Sequence, residues 1–349
     1  MKKLFVVLIL LVGMAGIGFS QETTVYTFFV NIVPEEFNVP LFGVVNIAKG
    51  DHTVPQFGFV NWNTGDFSSL QAGFVNTIGS NLNGAQVGFV NTVANDIKGS
   101  QVGYVNTARS NLEGAQVGFV NTVVNDIKGT QVGFINTAAG NIKGSQVGFV
   151  NTSAGSGDFQ VGFVNTAAKK LKGIQIGFVN YAESIEDGVQ IGFISLVRHG
   201  GYKAVEYSFS EFYPVNIEIK LGVEEFYTNI IAAYDPFENP FKEFVPKQIA
   251  TGFGFGSIIN ISDYFFFNSE VNILSSSFSK ENNLLLSYTP FFGFNINKYF
   301  SITVGPSVTW VHAFNNAELQ KPVFKIMEKN IDENDSIVIG ARAGARFRF

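Results

Sequence analysis

The residues of this 349-residue chain that have the right types for catalysis are set at the wrong intervals. His52, His199 and His312 lie far apart, whereas a metal centre needs several such donors aimed at one point; no cysteine is present to supply a thiolate instead. No Gly-x-Ser-x-Gly elbow offers a nucleophile. Asp96 and Asp126 stand 30 residues apart, each without a second carboxylate of the kind that glycoside cleavage requires. Gly252, Gly254 and Gly256 alternate with phenylalanine in a strand-like run, and no helix follows to receive a pyrophosphate. The chain is therefore read as no enzyme, with no catalytic residue, no metal site and no cofactor.

One set of charges does have a pattern. Glu206, Glu218 and Lys220, and near the C-terminus Arg342, Arg346 and Arg348, each alternate with apolar residues. Alternation puts successive side chains on opposite faces of a strand, so Val205, Tyr207, Phe209, Ile217 and Ile219 fall on one face and the charges on the other. The final run, Ile337 to Phe349, repeats this without interruption and ends on phenylalanine. Seven earlier runs obey the same rule, at about 203–211, 214–222, 226–234, 248–260, 263–275, 284–297 and 299–312. Together they predict an eight-stranded antiparallel barrel of outer-membrane type over 202–349, with lipid outside and a lumen in which these carboxylates pair with the arginines. Turns after the second, fourth and sixth strands are short, while those after the third, fifth and seventh (Asp235 to Lys247, Ser276 to Asn283, Ala313 to Asp335) are longer. That asymmetry predicts that both barrel ends of the chain lie on the periplasmic side. Eight strands enclose only enough room for their own side chains, so no general pore is expected.

Residues 21–197 follow a different rule. Eleven glycines, Gly43, Gly58, Gly73, Gly88, Gly103, Gly118, Gly133, Gly148, Gly162, Gly177 and Gly192, recur every 15 residues with one step of 14, each inside a variant of Gln-Val-Gly-Phe-Val-Asn-Thr. A unit of 15 cannot bury an apolar face by itself, but copies stacked in parallel can, which predicts a β-solenoid of eleven units, roughly 50 Å at ~4.8 Å per coil. In Ala115 to Gly129 the pattern reads as a strand, a turn and a shorter strand. Strict alternation puts Val117, Phe119 and Asn121 on one face, taken as the interior, with Ile127 closing the far side. The core would then hold ladders of Phe59, Phe74, Phe89, Tyr104, Phe119, Phe134, Phe149, Phe163, Phe178 and Phe193. Beside them Asn61, Asn76, Asn91, Asn106, Asn121, Asn136, Asn151, Asn165 and Asn180 would bond coil to coil through their amides. The glycines would make room for neighbouring rings. Lys98, Glu113, Lys128, Lys143 and Lys172 mark a solvated edge. The cluster Arg198-His199-Gly200-Gly201 is expected to join the halves as a tight hairpin.

Residues 1–20, with Lys2 and Lys3 before the apolar run Leu4 to Ile17 and small residues ahead of Gln21, are expected to be a signal peptide cleaved near Ser20 and Gln21. Without the two lysines, 21 basic residues face 28 acidic ones, a balance near −7 that disfavours nucleic acid as a partner. The 38 Phe and 11 Tyr suit strands and lipid interfaces.

The array of Gln-Val-Gly-Phe-Val-Asn-Thr units running through Ile191-Gly192-Phe193-Ile194-Ser195 into a barrel-like half resembles the surface-repeat outer-membrane proteins of Gram-negative bacteria. That resemblance implies a place in the cell outer membrane and no catalytic residues. Two readings follow. In one, the barrel anchors a rigid solenoid used for contact, adhesion or spacing, with outer-membrane lipid and a glycan or envelope protein as partners. In the other, the repeats are additional antiparallel strands of a single larger barrel that acts as a pore or transporter.

Overall fold

The computed structural model describes residues 24–237, 248–275, 282–314 and 317–349; the segment 1–20, expected to be a signal peptide, and parts of the three longer loops lie outside the described residues. The fold is all-β, a parallel solenoid of about eleven turns followed by a closed antiparallel barrel of eight strands. The chain divides into two compact units, Met1–Val147 and Gly148–Phe349.

In the first unit each coil stacks on its neighbour in perfect 15-residue register: Leu112 pairs with Ile97 and Ile127, Gln116 with Gln101 and Gln131, Asn121 with Asn106 and Asn136. Parallel pairing excludes the single larger barrel, whose repeats would have to run antiparallel. The expected strand, turn and shorter strand are replaced by one strand run, Leu112–Val123, followed by a turn at 124–126. Two glycine corners bend this run. Gly114 has φ +139°, a value that a side chain resists. At Gly118 a Cβ would lie 2.0 Å from the carbonyl oxygen of Gly103 and 2.5 Å from the Asn106 amide nitrogen. The glycine column therefore makes room for backbone and amides of the coil below, not for rings as the sequence reading held.

That second corner also overturns the assignment of faces. Gln116 and Asn121 are five residues apart, an interval that alternation assigns to opposite faces, yet both are fully buried, and so are Leu112 and Val123. Val117 and Phe119 are 42% and 41% exposed. The chain slips phase by one residue as it turns at Gly118 and Phe119, so the interior holds an aliphatic column, a Gln column, an Asn column and a second aliphatic column. The Phe and Val columns lie outside. Among the described residues the aliphatic column begins at His52 and Phe67 and continues through Leu82, Ile97, Leu112, Ile127 and Ile142.

The second unit opens with the last coils. The 14-residue step is absorbed between Gly157 and Phe159, where the register shifts against Leu171 and Ile174 before Gln160 meets Gln175 again. The solenoid ends with the strand Val189–His199. Gly200 (φ +74°) and Gly201 turn the chain into the barrel. The turn is tight, but the hairpin expected there does not form, because Val189–His199 pairs with the coil before it and not with the strand that follows.

The barrel strands are β1 (Tyr202–Phe209), β2 (Val215–Val223), β3 (Phe226–Tyr234), β4 (Ile249–Asn260), β5 (Phe265–Ser275), β6 (Asn283–Asn295), β7 (Phe300–Ala313) and β8 (Asp335–Arg348). Each pairs antiparallel with the next, and β1 closes on β8 from Ala204↔Arg348 to Phe209↔Ala343. Beyond that seam a short strand, Met327–Asn330, pairs with β8 and covers its remaining edge. Tyr207, Phe209, Val215, Ile217, Ile219, Val304 and Phe347 point outward and stay exposed. Inside, three layers fill the lumen. Phe212 and Tyr213, from the β1–β2 loop, fold inward against Ile231, Leu285, Val311 and Val338. Tyr202, Ala204, Tyr227, Ile258 and Phe266 close the opposite end. Charged residues occupy the middle.

Candidate functional site

The middle layer is built by alternation. On β1, β2, β5 and β8 every second residue points inward, which brings Glu206, Glu218, Lys220, Glu270, Arg342 and Arg346 into one buried cluster of three carboxylates and three cations. The Lys220 ammonium contacts Glu218 at 3.0 Å, Glu206 at 3.5 Å and also Glu270. Arg346 reaches Glu206 at 2.5 Å and Glu270 at 3.4 Å; Arg342 pairs with Glu218 and lies 3.8 Å from Glu270. Neutral donors fill the remaining lone pairs. Thr303 donates to Glu206 at 2.9 Å, Ser208 to Glu218 at 2.8 Å, Asn229 to Glu218 at 2.6 Å and Tyr227 to Glu270 at 2.5 Å. This bonding of the carboxylates offsets the cost of burying their charge, while Arg346 Nη1 is buried without a partner among the described residues. Of the predicted lumen charges, Arg348 alone is not in the cluster: it sits near the rim, 3.5 Å from Glu224 and over the rings of Tyr202 and Phe266.

One cavity of about 30 Å³ lies beside this layer, lined by residues that include Glu211, Tyr213, Ser307, Thr309 and Arg342. Glu211 accepts from Ser307 at 2.7 Å and Thr309 at 2.6 Å. A space of that size holds a water, not a substrate. With each carboxylate bonded to hydroxyls, amides or cations, the arrangement is suited to locking strands together and filling a lumen.

In the solenoid two amide ladders run in opposite senses. Each Asn donates to the Asn 15 residues on (Asn91 to Asn106 at 2.8 Å, Asn106 to Asn121 at 2.8 Å) and also to a backbone carbonyl of the next coil (Asn106 to Val117 at 3.0 Å). Each Gln donates backward, Gln116 to Gln101 at 2.7 Å and Gln131 to Gln116 at 2.8 Å. Both columns are fully buried and bonded from coil to coil, with only the two ends of the Gln column, Gln56 Nε2 and Gln190 Oε1, lacking a partner among the described residues, so their role is to hold coil to coil. Asn61, Asn76, Asn91, Asn106, Asn121 and Asn136 lie in this column in the first unit, and Asn151, Asn165 and Asn180 in the second.

A third ladder occupies the turns. From Asp66 onward, through Asn81, Asp96, Asn111, Asp126 and Asn141, carboxylate and amide alternate, each taking the backbone N–H of the next: Asn81 N–H donates to Asp66 at 3.0 Å, Asn111 N–H to Asp96 at 3.0 Å and Asp126 N–H to Asn111 at 3.2 Å, while one coil earlier Asp66 N–H donates to a second carboxylate, Asp51, at 2.7 Å. Uniform aspartates would stack like charges one coil apart, about 4.8 Å; alternation halves the charge and keeps every acceptor. Donors hold two of these carboxyls below the usual range, Asp66 chiefly through the Ser80 hydroxyl and Asp96 chiefly through the Asn111 backbone N–H. A depressed carboxyl stabilises the fold above its unfolded value and loses that contribution as pH falls through the folded one, so this ladder weakens below about pH 4. Asn111→Asp would stack three carboxylates. It is expected to cost about 0.5–1 kcal/mol at pH 7 in low salt, and the deficit should shrink in high salt and near pH 3.5. Urea titrations at the two pH values check this; an equal deficit at both would mean that charge stacking is not the reason for the alternation.

Outside, the phenylalanines form a ladder of their own. In the first unit Phe59, Phe74, Phe89, Tyr104 and Phe119 stack with centroids 4.9 Å apart and planes within 3° of parallel; in the second, Phe149, Phe163, Phe178 and Phe193 stack at 5.0 Å.

Compared with protein-family models, curated proteins and solved structures, the chain matches none. The residues that sequence reasoning missed are the Gln column, Glu270, Tyr227 and Asn229. Glu270 was within reach, since Phe266, Asn268, Glu270 and Asn272 alternate along β5 with residues that are apolar apart from Ser269, and all four point inward. The Gln column recurs as strictly as the Asn column, but strict alternation placed it outside.

Proposed function

We propose that this chain is a non-enzymatic protein of the Gram-negative outer membrane, related to the surface-repeat proteins, in which a sealed barrel anchors a rigid solenoid used for contact or spacing. The observation that carries the reading is the inverted barrel: its apolar, aromatic side chains face outward while its charges and amides are packed within. A water-soluble protein has no use for that arrangement, whereas a strand barrel surrounded by lipid requires it. The apolar leader at the N-terminus supports export. A filled lumen supports anchoring and not transport.

Expressed with its leader in a Gram-negative host, the chain is expected in the outer-membrane fraction, with a barrel whose electrophoretic mobility changes on boiling. Reconstituted in planar bilayers it is expected to give no conductance steps above the bare membrane. Recovery in the soluble periplasmic fraction would sink the membrane reading; regular conductance steps would sink the sealed anchor in favour of a pore.

A further inference from the structure

The ladder of exposed rings ends on the barrel. Phe193, its last member, meets Phe253 edge to face at 5.5 Å and, with Ile217, Ile219, Ile230 and Ala232 of the outer wall, lines an apolar groove. Thr228 shows how close this contact is. It sits on the outward side of β3, between the inward-pointing Tyr227 and Asn229, yet it is only 1% exposed, and its hydroxyl donates to the Gly192 carbonyl. The final coil, whose open edge has no further coil to pair with, is thus covered by the barrel wall. The contact falls at mid-height, since Ile217 and Ile219 flank Glu218, which belongs to the central charged layer of the lumen.

From Phe193 the ladder continues through Phe178, Phe163 and Phe149, and beside it run Ile176 and Ile191. No Asp, Glu, Lys or Arg occurs in any of the seven-residue segments that carry these columns: 146–152, 160–166, 175–181 and 190–196. The charges of these coils are gathered elsewhere, at Asp158, Lys169, Lys170, Lys172, Glu183, Glu186, Asp187 and Arg198, with Lys170 and Glu186 paired at 2.8 Å. Each coil is therefore divided into an uncharged aromatic side and a charged, solvated one. A contiguous exposed stripe of rings is a poor surface for water and a suitable one for hydrocarbon.

We propose that Phe149, Phe163 and Phe178, with Ile176 and Ile191, face the acyl chains of the bilayer that surrounds the barrel, so that the last coils, those of the second unit, leave the barrel along the membrane. The proposal rests on the outer-membrane reading above and names lipid as the partner of the stripe. Continuity supplies the occupant: Phe193 is seated on the same wall, at the same height, that lipid must cover elsewhere.

Tryptophan quenching by phospholipids brominated on their acyl chains tests it in the full chain reconstituted in vesicles. The chain has two tryptophans, Trp62 in the solenoid and Trp310, which points outward from β7. With Trp62→Thr as the background, Trp310 reports the barrel. In Trp62→Thr/Trp310→Phe, Phe178→Trp reports the stripe and Ala168→Trp, beside Lys169, reports the charged side. The expected result is quenching at 178 comparable to that of Trp310, with position 168 unquenched. Phe163→Trp is the substitute if Phe178→Trp does not fold. Quenching of Trp310 alone would overturn the stripe while leaving the barrel in the membrane; no quenching at either would overturn both. An unquenched, blue-shifted tryptophan at 178 together with a dimeric mass in detergent would mean that a second copy covers the stripe, and would overturn the proposal as well.

Discussion

Replacing Arg346 with methionine is expected to destabilise the barrel by about 3–5 kcal/mol, the cost of leaving buried carboxylates without their cation. Arg346 is completely buried and reaches both Glu206 and Glu270, so its removal leaves three carboxylates facing Lys220 and Arg342 alone. Arg348→Met should cost far less. Its side chain is 18% exposed, and it faces Glu224 near the rim, where water replaces the lost partner. Adding Glu206→Gln to Arg346→Met restores the balance of charge, and Lys220 keeps Glu218 and Glu270. The double variant should therefore recover at least about 1 kcal/mol relative to Arg346→Met. Urea unfolding of the Trp62→Thr chain in detergent, followed through Trp310, measures all four proteins. Equal midpoints for Arg346→Met and Arg348→Met would show that the buried cluster is no more than a solvated rim in its energetics.

The barrel was legible in the sequence because nothing interrupts its period of two. From β1 to β8 outward, mostly apolar residues alternate with inward ones that are charged or polar in the middle layer and apolar towards the two ends, and strand limits read from that alternation agree with the structure to within about two residues. The solenoid's repetition and parallel stacking were equally plain in the spacing of Gly43 to Gly192. Its inside and outside were not. Alternation counted from Asn121 carries Phe119 inward only if the strand is straight, and at Gly118 it turns. A corner adds a half-period, so Gln116, which alternation puts outside, points in with Asn121. The burial habit of phenylalanine pointed the same wrong way. The docking of the last coil on β2, β3 and β4 left no trace in the local pattern: Thr228 reads as an ordinary outward threonine until the Gly192 carbonyl is placed beside it.

Deleting one whole coil, residues 112–126, is expected to leave a folded chain, whereas deleting residues 112–118 is expected to abolish ordered folding of the surrounding coils. After the first deletion Ile127 follows Asn111 and takes the place of Leu112, Gln131 that of Gln116, Asn136 that of Asn121 and Ala138 that of Val123, so every internal ladder closes again. The Lys128–Glu113 pair, 2.7 Å and exposed, is lost, and Lys128 comes to stack on Lys98, which costs little at a solvated edge. The second deletion moves the register by seven. Phe119 would enter the aliphatic column, Val123 the Gln column and Lys128 the Asn column, where its ammonium would face amides that already bond to each other and no carboxylate. A buried, unpaired charge and two broken amide ladders outweigh anything one coil contributes, because stability in a stacked array is a sum over neighbouring interfaces and a single mismatched coil spoils the interfaces on both of its sides. Backbone hydrogen exchange in the full chain separates the outcomes: slow exchange of the Gln and Asn strands on both sides of the junction for the 15-residue deletion, and fast exchange there for the seven-residue one. Comparable protection in the two variants would mean that the coils are held by something other than register.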